Sequence, residues 1–168
     1  MTIIDKARYF ATAAHAAVGH KRKYSDDDYI VHPQRVADIV ARHGGTDSMI
    51  AAAWLHDVVE DTNVTMDTIT GMFGSVVASL VDDLTDVSCS YDGNRATRKS
   101  IDAQHTADAS ADAQFIKCAD IIDNSWDIRD KDPSFWKVYQ REMSLLLDEM
   151  VRVKGTDIYN EARASVEP

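Results

Sequence analysis

The chain has 168 residues, a length that suits one domain with a sizeable core, and a single unit over residues 1–168 is predicted. Apolar residues make up 45% and charged residues 27%, the balance of a globular protein, and the net charge of −10 argues against duplex nucleic acid or an anionic membrane as the main partner. No run approaches the roughly 20 apolar residues of a membrane span. The start, Met1 to Lys6, lacks a secretory pattern, and Cys89 and Cys118 without a CxxC suit free thiols in a reducing cytoplasm.

Helical spacing recurs along the chain and no segment alternates cleanly, so an all-α bundle of roughly seven to nine helices is predicted. The first helix runs from Ile4 to Val18 with Ala7, Phe10, Ala14 and Val18 inward, and Gly19 ends it. A polar loop from His20 to Asp28 follows. Pro33 marks the first turn of a second helix and fixes His32 at its start; Val36, Ile39 and Val40 face inward and Gly44-Gly45 stops it. Asp47 is the expected N-cap of a third helix running to Asp61-Thr62. Helices over Thr65–Phe73 and Ser75–Asp86 come next, broken at Gly74. A loop covers Val87 to Asn94, then a helix spans Arg95 to Ala107. A long helix starts at Ser110 or Ala111 and reaches Arg129. Asp132-Pro133 caps and opens another, whose apolar set up to Met150 reads as core or as the seam of a homo-oligomer. Gly155 closes it before a helical tail.

Four ionisable residues crowd the end of the third predicted helix: His56, Asp57, Glu60 and Asp61. Adjacent imidazole and carboxylate groups can share one metal ion, and Glu60 falls on the same helical face. A solvated helix end with a chance His-Asp pair would read the same. Two further donors tip the balance. His32 stands at a helix start, and Asp120 follows Phe115-Ile-Lys-Cys-Ala119 on a largely apolar face, where a carboxylate needs a partner, a cap or a metal to offset its desolvation. Two histidines and two aspartates suit a six-coordinate divalent ion of the manganese or iron kind. Such an ion polarises a phosphoryl oxygen and acidifies bound water, and Glu60 and Asp61 are spaced to orient that water or move its proton. His15 reads as a core or loop-anchoring histidine that can reach the mouth of the pocket. His43 and His105 read as surface residues.

His32, His56-Asp57 and Asp120 resemble the H…HD…D pattern of the HD-domain metal phosphohydrolases. Longer stretches resemble one branch of them. Gly19-His-Lys-Arg-Lys23 through Tyr29-Ile-Val-His-Pro33 to Val36-Ala37 is similar to G-Q-x-R-K-x-x-G-x-P-Y-I-x-H-P-x-x-V-A. His56-Asp-Val-Val-Glu-Asp-Thr62 is similar to H-D-x-x-E-D-T, Phe73-Gly through Leu84-Thr85 to F-G-x-x-V-x-x-L-V-x-x-V-T, and Lys117-Cys-Ala-Asp-Ile-Ile-Asp-Asn124 to K-L-A-D-x-x-x-N. These belong to the hydrolase domain of RelA/SpoT proteins and the stand-alone small alarmone hydrolases. The resemblance implies an all-helical manganese enzyme that removes the 3′-pyrophosphate of guanosine tetra- or pentaphosphate, with no synthetase or regulatory domain. By position it implies His32, His56, Asp57 and Asp120 on the metal, Glu60 and Asp61 on the water, Arg22 and Lys23 on the nucleotide, and Asn124 on the ribose or its phosphates. An Arg-Lys pair meets phosphate or stacks on a purine, in keeping with that role.

Some positions depart from the pattern. His20 replaces a Gln, Asp26 and Asp28 replace the loop Gly and Pro, and Ile121 replaces a basic residue. Ser125-Trp-Asp-Ile-Arg129 replaces an L-R-D/T-L run. Asp26, Asp28 and Asp127 would repel a heavily phosphorylated nucleotide if they faced it, which leaves open another nucleotide, such as a dNTP or NADPH, or a catalytically silent nucleotide-binding module. Intact Glu60 and Asp61 speak for catalysis.

Overall fold

The computed structural model describes residues 1–167, and the described residues form nine α-helices with a single β-bridge, between Lys21 and Asp28. The all-α expectation therefore holds. By internal contacts the chain groups into two compact units, Met1–Thr85 and a second from Asp86 onward.

The first unit holds α1 (Ile3–Ala17), α2 (Val31–Arg42), α3 (Asp47–Leu55), α4 (Val58–Asp61) and α5 (Met66–Leu84). Helix α3 is its centre: α1, α2 and α5 all pack on it. The sequence explains this, because Ala51, Ala52, Ala53, Trp54 and Leu55 are apolar all round and all are buried. Helix α1 buries Ala7 as expected, together with Ala11 and His15, a strict i, i+4, i+8 stripe, while Phe10 and Ala14 of the expected face are half-buried. Small side chains let the helices approach closely; Val18 is left exposed, and Phe10 meets Phe73 edge-on at 5.5 Å. Thr46, one residue before the expected Asp47, is the N-cap of α3, its hydroxyl accepting from Met49 N–H. Helix α5 runs through the predicted break as a kink at Gly74, at φ 81° and ψ 170°.

The second unit holds α6 (Arg95–Asp108), α7 (Ala111–Lys131), α8 (Pro133–Glu149) and α9 (Asp157–Val166). Helix α7 is its centre, packed by α6, α8 and α9. Asp132 caps α8 as expected, accepting from Phe135 N–H at 3.1 Å. On α8, Tyr139, Leu146, Leu147 and Met150 are buried while Val138 is exposed. Buried Gln114 ties α6 to α7: its amide donates to the Thr106 and Ala107 carbonyls and its oxygen accepts from Arg152 N–H. No helix among the described residues is long and apolar enough to cross a membrane. Cys89 and Cys118 are free, and burial pushes the Cys118 thiol up to about 12.

Candidate metal centre

In the first unit, α3 and α4 are separated at His56-Asp57, where the sequence predicts one continuous helix. The cause is local. His56 Nδ1 lies 2.7 Å from the Ala53 carbonyl, the acceptor a continuing helix would give to Asp57 N–H. A side chain that competes for that acceptor loosens the ladder there. The break turns both side chains toward His32, which Pro33 and the first turn of α2 hold in place; His32 N–H donates to the Tyr29 carbonyl at 3.0 Å.

His32 Nε2 is 3.6 Å and His56 Nε2 is 3.0 Å from the same carboxylate oxygen, Asp57 Oδ2. One donor atom from each of His32, His56 and Asp57 lies within 4.8 Å of the others. The imidazole rings meet edge-on at 5.2 Å, and the histidines are only 1% and 3% exposed. A carbonyl can only accept, so the proton of a neutral His56 sits on Nδ1 and its Nε2 lone pair faces Asp57. Two acceptors opposed at 3.0 Å in a buried setting call for a positive charge between or beside them. A backbone carbonyl holding the far nitrogen is the usual support for a ligating histidine. The donor set therefore fits a divalent ion.

Glu60 and Asp61 sit on α4, one turn beyond, with Asp61 N–H donating to the Asp57 carbonyl at 2.9 Å. Burial, and then repulsion from Asp57, raise the Asp61 carboxyl above its ordinary range, while His20 and the two site histidines pull the other way. His20 Nδ1 is 3.8 Å from Asp61 Oδ2. Arg22 and Lys23 lie in the 20–29 loop. The Arg22 guanidinium stands 5.8 Å from the Tyr29 ring and the Lys23 ammonium 4.9 Å from Tyr24. Of the loop acids, Asp28 pairs with Lys21, and Asp26 is exposed.

Asp120 belongs to the second unit, buried on α7. Both its oxygens are held on its own helix: Lys117 Nζ donates to Oδ2 at 2.8 Å and Asn124 Nδ2 to Oδ1 at 2.7 Å. Burial opposes the Lys117 charge, but the Asp120 and Asp86 carboxylates outweigh it and its pKa stands raised. The Asn124 amide, expected on the nucleotide, thus rests on Asp120. Asp127 pairs with Lys131 at 3.5 Å.

Sequence reasoning missed two groups. Tyr29 lies inside the Tyr-Ile-Val-His-Pro stretch, yet its hydroxyl on Asp57 could not be read from spacing. The second is His20, signalled only by its replacement of a Gln: it meets His15 Nδ1 to Nδ1 at 3.3 Å, and His15 is buried in keeping with its reading as a core or loop-anchoring histidine.

Known proteins resemble this chain in sequence and in fold. The HD-domain family profile matches residues 7–119. A Xenopus tropicalis protein, guanosine-3′,5′-bis(diphosphate) 3′-pyrophosphohydrolase MESH1, is 36% identical over 138 residues, which cover 79% of this chain and 75% of that protein. A Synechocystis protein described as a probable guanosine-3′,5′-bis(diphosphate) 3′-pyrophosphohydrolase is 43% identical over 86 residues, 51% of this chain but only 11% of that longer protein. Among solved structures, a metazoan SpoT orthologue described as hydrolysing ppGpp shares the fold at a TM-score of 0.80, covering 99% of this chain and 94% of its own at 24% identity.

Proposed function

Because this chain belongs to the HD-domain family, alongside the MESH1 pyrophosphohydrolases, we propose that it is a metal-dependent phosphohydrolase that releases pyrophosphate from the 3′ position of guanosine 3′,5′-bis(diphosphate). The observation that carries this reading is the meeting of His32 Nε2, His56 Nε2 and Asp57 Oδ2 within a few ångströms of one another, with both histidines buried. We assign the ion to manganese, since two imidazoles with carboxylate suit a six-coordinate first-row divalent metal.

When bound, the ion supplies charge for the phosphoryl oxygens and an acidified water. The chain's own residues do the rest. Glu60 and Asp61 orient the attacking water and take its proton. The raised Asp61 carboxyl suits that exchange, because a carboxyl lifted above its ordinary range is the stronger base. The water oxygen joins the phosphorus attached to O3′, the O3′–P bond breaks, pyrophosphate leaves, and O3′ receives a proton. Arg22 and Lys23 hold the nucleotide by phosphate contact or stacking. Loss of Asp28 to Lys21 and of Asp127 to Lys131 lowers the repulsion that these acids would direct at a phosphorylated substrate. Free cysteines and the lack of a membrane-crossing helix among the described residues are compatible with work in the cytoplasm.

The test is purified protein with Mn²⁺ against a nucleotide panel, with pyrophosphate and phosphate release measured separately. Pyrophosphate from the tetraphosphate alone is expected. Turnover of a dNTP or NADPH instead would move the substrate to another nucleotide. Binding without turnover would make the chain a silent nucleotide-binding module.

A further inference from the structure

Tyr29 stands three residues before His32, where the 20–29 loop re-enters α2. Its hydroxyl donates to Asp57 Oδ2 at 2.5 Å. This is the oxygen that faces both His32 and His56. The Tyr29 ring is fixed from several sides. The His20 ring lies flat on it, at 3.8 Å between centroids and 9° between planes. The His15 ring approaches at 4.8 Å, and the His32 ring meets it edge-on at 5.8 Å. Tyr29 N–H also donates to the His20 carbonyl at 3.1 Å, so backbone and rings hold the same register. His20 is itself anchored by the buried His15, at 3.3 Å between their Nδ1 atoms.

We propose that Tyr29, braced by the stacked His20 ring, is a positioning residue that sets the metal-facing oxygen of Asp57. The inference rests on the metal reading of His32, His56 and Asp57 given above. A carboxylate oxygen carries two lone pairs. The tyrosine hydroxyl donates to this oxygen while both Nε2 atoms stand within 3.6 Å of it, so the bond fixes the oxygen on the side the imidazoles face. Without the hydroxyl, the carboxylate loses that restraint, and more of its rotational freedom has to be lost on metal binding instead. A planar ring at position 20 limits how far Tyr29 can swing, which a Gln in that place would do less rigidly. Outer-shell supports of this kind are worth about 10- to 100-fold in metal affinity.

The experiment titrates metal-free protein with Mn²⁺ by calorimetry and then measures turnover at saturating Mn²⁺. Tyr29→Phe is expected to weaken Mn²⁺ binding about tenfold or more. At saturating metal its kcat recovers and its KM for nucleotide stays within about twofold of wild type, as expected for a group that does not touch substrate. His20→Ala weakens binding in the same direction, whereas His20→Phe, which keeps a flat ring, retains it. Wild-type Mn²⁺ affinity in Tyr29→Phe overturns the proposal, and a raised KM alongside it makes Tyr29 a substrate contact instead. Equal loss in His20→Phe and His20→Ala removes the stack from the brace. His56→Ala separates the two readings: unchanged Mn²⁺ affinity there sinks the metal site itself, while loss there with none in Tyr29→Phe sinks only the brace. Should Tyr29→Phe fail to fold, the two His20 variants still decide.

Discussion

Asp57 accepts from Tyr29 and faces both histidines, so three polar groups of the site meet at one carboxylate oxygen. Asp57→Ala or His56→Ala is expected to abolish turnover and to remove bound metal, measured by elemental analysis of the purified variants. Glu60→Gln keeps the metal and slows turnover roughly a hundredfold or more, because only the proton transfer is lost. Equal activity in that variant would take Glu60 out of the chemistry. His15 carries a pH signature of its own. Burial, helped by the neighbouring imidazoles of His20, His56 and His32 and opposed by Asp57, pushes it down to about 4 from its usual 6.5. In the unfolded chain the same ring protonates near 6.5, so between about pH 6.5 and pH 4 the unfolded state binds the extra proton. Folding stability is therefore full above pH 6.5 and falls as pH drops through this window, by at most about 3 kcal/mol from this group. Denaturant melts of wild type and His15→Gln at stepped pH test this, and an equally steep fall in the variant would assign the dependence elsewhere.

At the level of elements, what the sequence declared was punctuation. Gly74 and Asp132-Pro133 mark a kink and a helix start, and each does so through backbone geometry that needs no partner, whereas Gly155, expected to close α8, lies in the turn after it, because α8 already ends at Glu149 with Met150 as its C-cap. What it concealed was interruption by a side chain. No glycine or proline separates α3 from α4; His56 does so by taking the Ala53 carbonyl. The loop before α6 holds a second such device. Buried Asp102 accepts from Val87 N–H at 3.1 Å, Ser88 N–H at 2.9 Å and the Ser88 hydroxyl at 2.8 Å, pinning residues 87 and 88 to α6. Asp102→Ala leaves those donors without their acceptor and should cost about 2–4 kcal/mol of stability, read from a denaturant midpoint. Asp102→Asn, which keeps one acceptor oxygen, should cost less.

For the whole molecule, charge and metal act together. With a net charge of −10, binding a divalent cation relieves repulsion as well as completing a site. Metal that binds only the folded chain should raise its melting temperature; at a hundredfold excess over Kd the gain is about 2.7 kcal/mol. Differential scanning fluorimetry with and without Mn²⁺ reads this directly. The shift should vanish in His56→Ala, and a chelator should return wild type to its metal-free melting point.

The sequence by itself determined the helical class and most helix ends, and it singled out the candidate site residues, because periodicity, caps and motif spacing are local properties of the chain. His32, His56 and Asp57 were legible as a set for that reason. Only the tertiary structure decided their supports. Which face of α1 turns inward, that the Tyr29 hydroxyl falls on Asp57, that His20 stacks upon that ring, and that Asn124 leans on Asp120 all depend on how side chains meet in three dimensions. Distances of a few ångströms set by packing have no counterpart in residue order, so the candidate donors could be read in advance and the groups that touch them could not.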